Sequence, residues 1–125
     1  MNAWLVVGVG GFFGAICRYL LSNWGQRLVT GSFPLGTLLV NVLGCLIIGV
    51  LMTLVETKEW FSPQIRLLAI TGFLGSLTTF STFGYETMEL LKMGDMKLAM
   101  LSILANMFLG LTGVLLGKWM AESFF

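Results

Sequence analysis

Four long stretches of this 125-residue chain carry no charged side chain: residues 1–17, 28–55, 67–85 and 98–117. Each approaches the length an α-helix needs to cross the hydrocarbon core, about 20 mostly apolar residues. The pattern predicts an all-α membrane protein of four transmembrane helices, over about 3–22, 34–55, 65–91 and 98–120, forming a single transmembrane domain across 1–125. Composition agrees, with 57% hydrophobic and 10% charged residues, where a soluble domain carries about a quarter charged. Connections of about 5 to 12 residues leave no room for an extramembrane domain. Residues 1–17 lack a basic leading segment and run on into further spans, so no cleavable secretory signal is expected.

Several function classes fall away. The chain has no histidine, which removes Ser-His-Asp and Cys-His catalysis, HExxH zinc sites and haem ligation by histidine. No nucleophile–base set is visible, so the protein is not expected to be an enzyme. A net charge of +1 carries no basic excess for nucleic acid. The phosphate-binding GxxxxGK[ST] pattern is missing, in line with passive rather than ATP-driven work. Cys17 and Cys45 sit inside spans without CxxC spacing and read as reduced packing residues.

Local signals mark the span ends. Pro34 and Pro63 suit first-turn positions, Ser62 can cap the helix that Pro63 opens, and Met93-Gly94-Asp95 reads as a turn. Trp4, Trp24, Trp60 and Trp119 all fall at span ends, where amphipathic rings lie at headgroup level. With an even number of spans, Lys58, Arg66 and Lys118 share one side of the membrane, and Arg18, Arg27, Lys92 and Lys97 the other. So even a split does not fix orientation. Either both orientations insert, which closes most simply as an antiparallel homodimer, or one charge near the bilayer edge misleads the count. Gly10 and Gly14, and again Gly113 and Gly117, make GxxxG faces for close helix contact within or between subunits.

Polar groups within the spans are the strongest functional pointers, because hydrocarbon leaves them unsatisfied. Arg18 reads as an interfacial side chain reaching for phosphate, or as an attractor of anions into a vestibule. Asn41 offers two N–H donors deep in the second helix, for an interhelical hydrogen bond or for a permeating anion. Asn106 invites the same two readings. In 71–84 the glycines at 72, 75 and 84 and the hydroxyls at 76, 78, 79, 81 and 82 lower helix propensity. That stretch is either a tightly packed helix or one broken near mid-membrane, where freed carbonyls can coordinate a hard cation. Phe80 and Phe83 share a face, as packing groups or as electropositive ring edges beside hydroxyl donors. Glu86, one turn on, reads as a solvated helix end or the mouth of a pathway.

Three segments, one per helix and in order, resemble the CrcB/Fluc family of bacterial fluoride channels over nearly the whole chain. They are Gly10-Gly11-x-x-Gly14-Ala15-x-x-Arg18-Tyr19, Gly36-Thr37-Leu38-x-Val40-Asn41-x-x-Gly44, and Thr78-Thr79-Phe80-Ser81-Thr82-Phe83 after Thr71-Gly72-Phe73. The resemblance implies a fluoride-specific channel of the bacterial inner membrane that exports F− passively. It implies a dual-topology antiparallel homodimer with a third helix broken at its centre. It also implies a structural, non-transported Na+ held by the backbone carbonyls of Gly75 and Thr78, and a fluoride pathway of Asn41, Phe80, Ser81, Thr82 and Phe83. Two departures stand out: Ser76 replaces a commonly second glycine, and Gly110 falls where some relatives carry a serine of the polar track, a role that Asn106 is expected to fill in part. The alternative is a small four-helix proton-coupled multidrug or metabolite exporter. That mechanism needs a carboxylate deep in the membrane, and 1–17, 28–55 and 98–117 have none.

Overall fold

The computed structural model describes residues 2–58 and 61–125, and no strand occurs among them. Four helical stretches are long and apolar enough to cross a membrane: Ala3–Gln26, Leu35–Thr57, Pro63–Lys92 and Met96–Phe124. The first two are α1 and α2. The third is built in pieces: α3 (Pro63–Arg66), a π-helical segment (Leu67–Leu74), the single turn α4 (Gly75–Leu77), two extended residues, and α5 (Phe80–Lys92). The last is α6 (Met96–Phe124).

Side-chain chemistry at the ends explains the lengths. α1 continues past the expected residue 22 to Gln26, whose carboxamide ties the loop to α2: Nε2 donates to the Phe33 carbonyl at 2.9 Å and Oε1 accepts from the Gly36 N–H at 3.2 Å. Pro34 stands at the N-cap of α2, one residue before the first turn. Ser62 caps α3 by accepting from the Ile65 N–H at 3.3 Å, with Pro63 behind it. The 93–95 turn closes on Gly94, whose φ of +80° an L side chain rarely adopts. Asp95 then caps α6, accepting from the Leu98 N–H at 3.1 Å. Trp4, Trp24 and Trp119 are exposed at span ends; Trp60 lies outside the described residues.

Two glycine seams set the packing. α1 lies against the π-helical segment so closely that a Cβ on Gly10 would strike the Leu68 carbonyl, one on Gly14 the Phe73 carbonyl, and one on Gly72 the Val7 carbonyl. α6 runs alongside α2 in the same direction, and there Gly117 meets the Leu46 carbonyl and Gly49 the Val114 carbonyl. Both GxxxG faces therefore serve contacts within one chain. In lipid, where apolar burial offers no drive, such backbone approach is what holds helices together. The outer surface displays Phe12, Phe108 and Leu115, each more than 60% exposed, a density of large apolar groups that suits hydrocarbon.

A methyl added at Gly14 should force the α1 seam apart and destabilise the fold by about 1–3 kcal/mol. Gly8, which has nothing within 4 Å of an added Cβ, should tolerate alanine within about 0.5 kcal/mol. Unfolding of Gly14→Ala and Gly8→Ala in mixed micelles checks the pair, and equal stability would refute the seam.

Candidate functional site

The third span breaks where a side chain from α2 captures its backbone. Thr78 (φ −84°, ψ 156°) and Thr79 (φ −151°, ψ 116°) are extended. The Thr79 N–H donates to Asn41 Oδ1 at 2.8 Å, while Asn41 Nδ2 donates to the Thr79 carbonyl at 3.1 Å. The carboxamide thus presents to one peptide unit the acceptor and donor that a neighbouring strand would supply. In a continuous helix the Thr79 N–H would reach the Gly75 carbonyl. The next link is diverted as well: the Thr82 N–H, which would reach the Thr78 carbonyl, donates to Thr79 Oγ1 at 3.3 Å and starts α5. Below the break, Thr78 Oγ1 donates to the Leu74 carbonyl at 3.0 Å. Gly44 makes room for that threonine, since a Cβ there would collide with its methyl group.

Asn41 is held in turn by α6. Its Nδ2 also donates to Asn106 Oδ1 at 3.0 Å, and Asn106 Nδ2 donates to the Ser102 carbonyl at 2.9 Å. Both N–H bonds of Asn41 are therefore engaged inside the chain. Of the two readings open to these asparagines from the sequence, the interhelical hydrogen bond is present at each.

A cleft of about 440 Å³ opens beside the break. It gathers Asn41, Gly75, Thr78, Phe80, Phe83 and Asn106. The Phe80 and Phe83 rings lie 5.5 Å apart and tilted by 55°. Phe80 is 82% exposed. Ser81 and Thr82 are exposed on the first turn of α5 and join the cleft through Thr79, whose hydroxyl lies 3.4 Å from Ser81 Oγ and donates to Thr82 Oγ1 at 3.1 Å.

Two candidates stand apart. Arg18 is half-buried on α1 and does not line the cleft. Glu86 is no solvated helix end: Thr37 Oγ1 donates to its Oε1 at 2.9 Å, and its buried Oε2 has no hydrogen-bond partner among the described residues. Sequence reasoning misses Thr79 as the hinge, Thr37 as the partner of Glu86, and Ser102 as the anchor of Asn106. The hydroxyl run around 79 signals a break but does not rank its members. Nothing local to Thr37 or Ser102 marks them.

The family described as CrcB-like protein, Camphor Resistance (CrcB), matches residues 5–118. The chain is 51% identical over 92 residues to the fluoride-specific ion channel FluC of Nitratidesulfovibrio vulgaris, covering 74% of each protein. It is 42% identical over 121 residues to the FluC of Clostridium perfringens, covering 97% of this chain and 94% of that one. Against the FluC of Dehalococcoides mccartyi, identity is 42% over 122 residues, 98% of this chain and 94% of that one.

Asn41→Ala should strand the Thr79 N–H and carbonyl, at about 1–3 kcal/mol for each group left buried and unpaired. A lower unfolding free energy together with faster exchange of the Thr79 amide is the expected pair of results. Wild-type stability and protection would show that the carboxamide does not hold the break.

Proposed function

The chain belongs to the CrcB-like family and is a fluoride-specific ion channel of the bacterial inner membrane; we propose that it releases cytoplasmic fluoride passively, as a homodimer whose two copies insert in opposite orientations. One observation carries the pathway reading: the broken backbone and the Phe80 and Phe83 rings share one cleft with Asn41 and Asn106, and the exposed hydroxyls of Ser81 and Thr82 are tied to that cleft through Thr79 Oγ1. Exposed hydroxyls and interrupted backbone are not tolerated against lipid tails; at that depth they must be covered by protein or line a polar cavity. A second copy is the cover that needs no other partner. The three-to-four split of Lys and Arg supports insertion both ways, and a two-fold axis in the membrane plane closes such a pair.

Conduction requires replacing fluoride's water. A bare anion in a low-dielectric interior costs tens of kcal/mol, while a charge-assisted hydrogen bond recovers about 1.5–3 kcal/mol net, so several donors must act at once. The Ser81 and Thr82 hydroxyls and the positive edges of Phe80 and Phe83 form that set. Asn41 joins it by exchanging an N–H from Thr79 or Asn106 to the ion. A narrow, donor-lined passage selects against larger anions. HF enters neutral and dissociates in a near-neutral cytoplasm, and an inside-negative potential favours anion exit by about 2.3 kcal/mol per 100 mV.

The Na+ site fits the backbone. With the Thr79 and Thr82 N–H groups diverted, the Gly75 and Thr78 carbonyls are released from their helical partners, and carbonyl oxygens are the ligands a hard cation prefers. A bound Na+ would supply a fixed positive potential beside the anion's path. Two carbonyls from one chain leave such a cation under-coordinated, and the matching pair of a second copy would bring the set to four oxygens.

Purified protein in liposomes should release fluoride far faster than chloride, read with ion-selective electrodes; equal rates would sink the channel reading. Phe80→Ile and Phe83→Ile should each slow fluoride release at least about tenfold, a barrier change of about 1.4 kcal/mol, while the dimer persists on size exclusion. Exhaustive replacement of Na+ by a bulky organic cation should reduce flux, and undiminished flux would remove the metal from the account.

A further inference from the structure

We propose that Asn106 is a positioning residue for conduction: it does not ligate the ion but orients the Asn41 carboxamide and through it keeps the third span open at Thr79. The proposal takes the fluoride-channel reading as its premise.

The relay starts on α6. Asn106 Nδ2 donates to the Ser102 carbonyl one turn earlier, at 2.9 Å. That bond fixes which way the Asn106 amide faces, leaving its Oδ1 towards α2. Oδ1 then accepts from Asn41 Nδ2 at 3.0 Å. The same nitrogen donates to the Thr79 carbonyl at 3.1 Å, and Asn41 Oδ1 accepts from the Thr79 N–H at 2.8 Å. A carboxamide turned by half a rotation would set its oxygen against two acceptors, Asn106 Oδ1 and the Thr79 carbonyl, and its nitrogen against a donor. Asn106 thus supplies one of the two acceptors that make the productive orientation unique.

Packing keeps the relay short. Just beyond Asn106, a Cβ on Gly110 would sit 3.4 Å from Cys45 Sγ, and one on Gly113 would sit 3.2 Å from the Val42 carbonyl. These glycines bring α6 close enough to α2 for two short asparagine side chains to meet. A residue whose amide is oriented by its own helix and spent on Asn41 is committed before any ion arrives. Its contribution to flux is therefore the fraction of time that Asn41 spends correctly turned.

A double-mutant cycle with two readouts tests this. In reconstituted wild-type protein, fluoride release confirms the premise; its absence would fail the channel reading alone, since amide exchange at Thr79 needs no conduction. Asn106→Ala is expected to speed Thr79 exchange and slow fluoride release, each by about three- to tenfold, the range one net hydrogen bond spans. In the Asn41→Ala background the same change should alter Thr79 exchange and flux by less than about twofold, because the route through Asn41 is already gone. Where the Asn41→Ala channel conducts too slowly to time, the exchange arm decides. Should Asn106→Ala fail to fold, Asn106→Leu fills the volume without the acceptor and carries the same expectations. Two results overturn the proposal: Thr79 exchange unchanged by loss of Asn106, or losses that multiply in the double variant, which would mark Asn106 as acting on the ion independently of Asn41.

Discussion

The site depends on one carboxamide meeting one peptide unit. A backbone interruption within a bilayer persists only if its polar groups find partners in protein, because lipid offers none. Asn41 satisfies both groups of Thr79 at once. With that pair formed, the chain leaves the helical ladder for two residues and re-enters it at Phe80 with Thr79 as its cap. The released carbonyls, the placement of the two rings and the hydroxyl turn are its consequences. Without it, the N–H and carbonyl of Thr79 would be left without these partners at a depth where lipid supplies none.

The surrounding bundle makes that contact possible. Gly44 admits Thr78 against α2, and Gly49, Gly113 and Gly117 let α6 approach α2 backbone to backbone. On the other flank, Gly10 and Gly14 receive the π-helical segment. The wider turn of a π-helix shifts the register of the residues after it, and it ends at Leu74, immediately before α4 and the break. The break is therefore set from both sides: α1 holds the segment leading into it, and α2, backed by α6, holds its centre.

Much of this is legible in the sequence where the membrane itself imposes the rule. Hydrocarbon thickness dictates span length, so uncharged runs mark the four helices, and glycines with hydroxyls between 71 and 84 mark a stretch ill-suited to a regular helix. What pattern cannot supply is pairing at a distance. Asn41 and Thr79 lie 38 positions apart and Asn41 and Asn106 lie 65 apart, and no local signal says which polar side chain meets which backbone. Two GxxxG faces announce close contact but not the partner, and both are used inside one chain. Glu86 shows the same limit: near a helix end by sequence, it is drawn inward by a threonine from another span.

The engagement of Asn41 also bears on how a channel can bind an ion and still release it. A donor held in reserve would give fluoride a new hydrogen bond and a deep well. A donor already committed offers only an exchange: were fluoride to take an N–H of Asn41, the Thr79 carbonyl or Asn106 Oδ1 would lose it, and bonds of comparable kind would nearly offset. Conduction demands binding favourable enough to enter and weak enough to leave. A pathway whose central amide is always occupied, by protein or by ion, keeps that balance while never leaving a donor bare in the bilayer, where an unpaired one costs several kcal/mol.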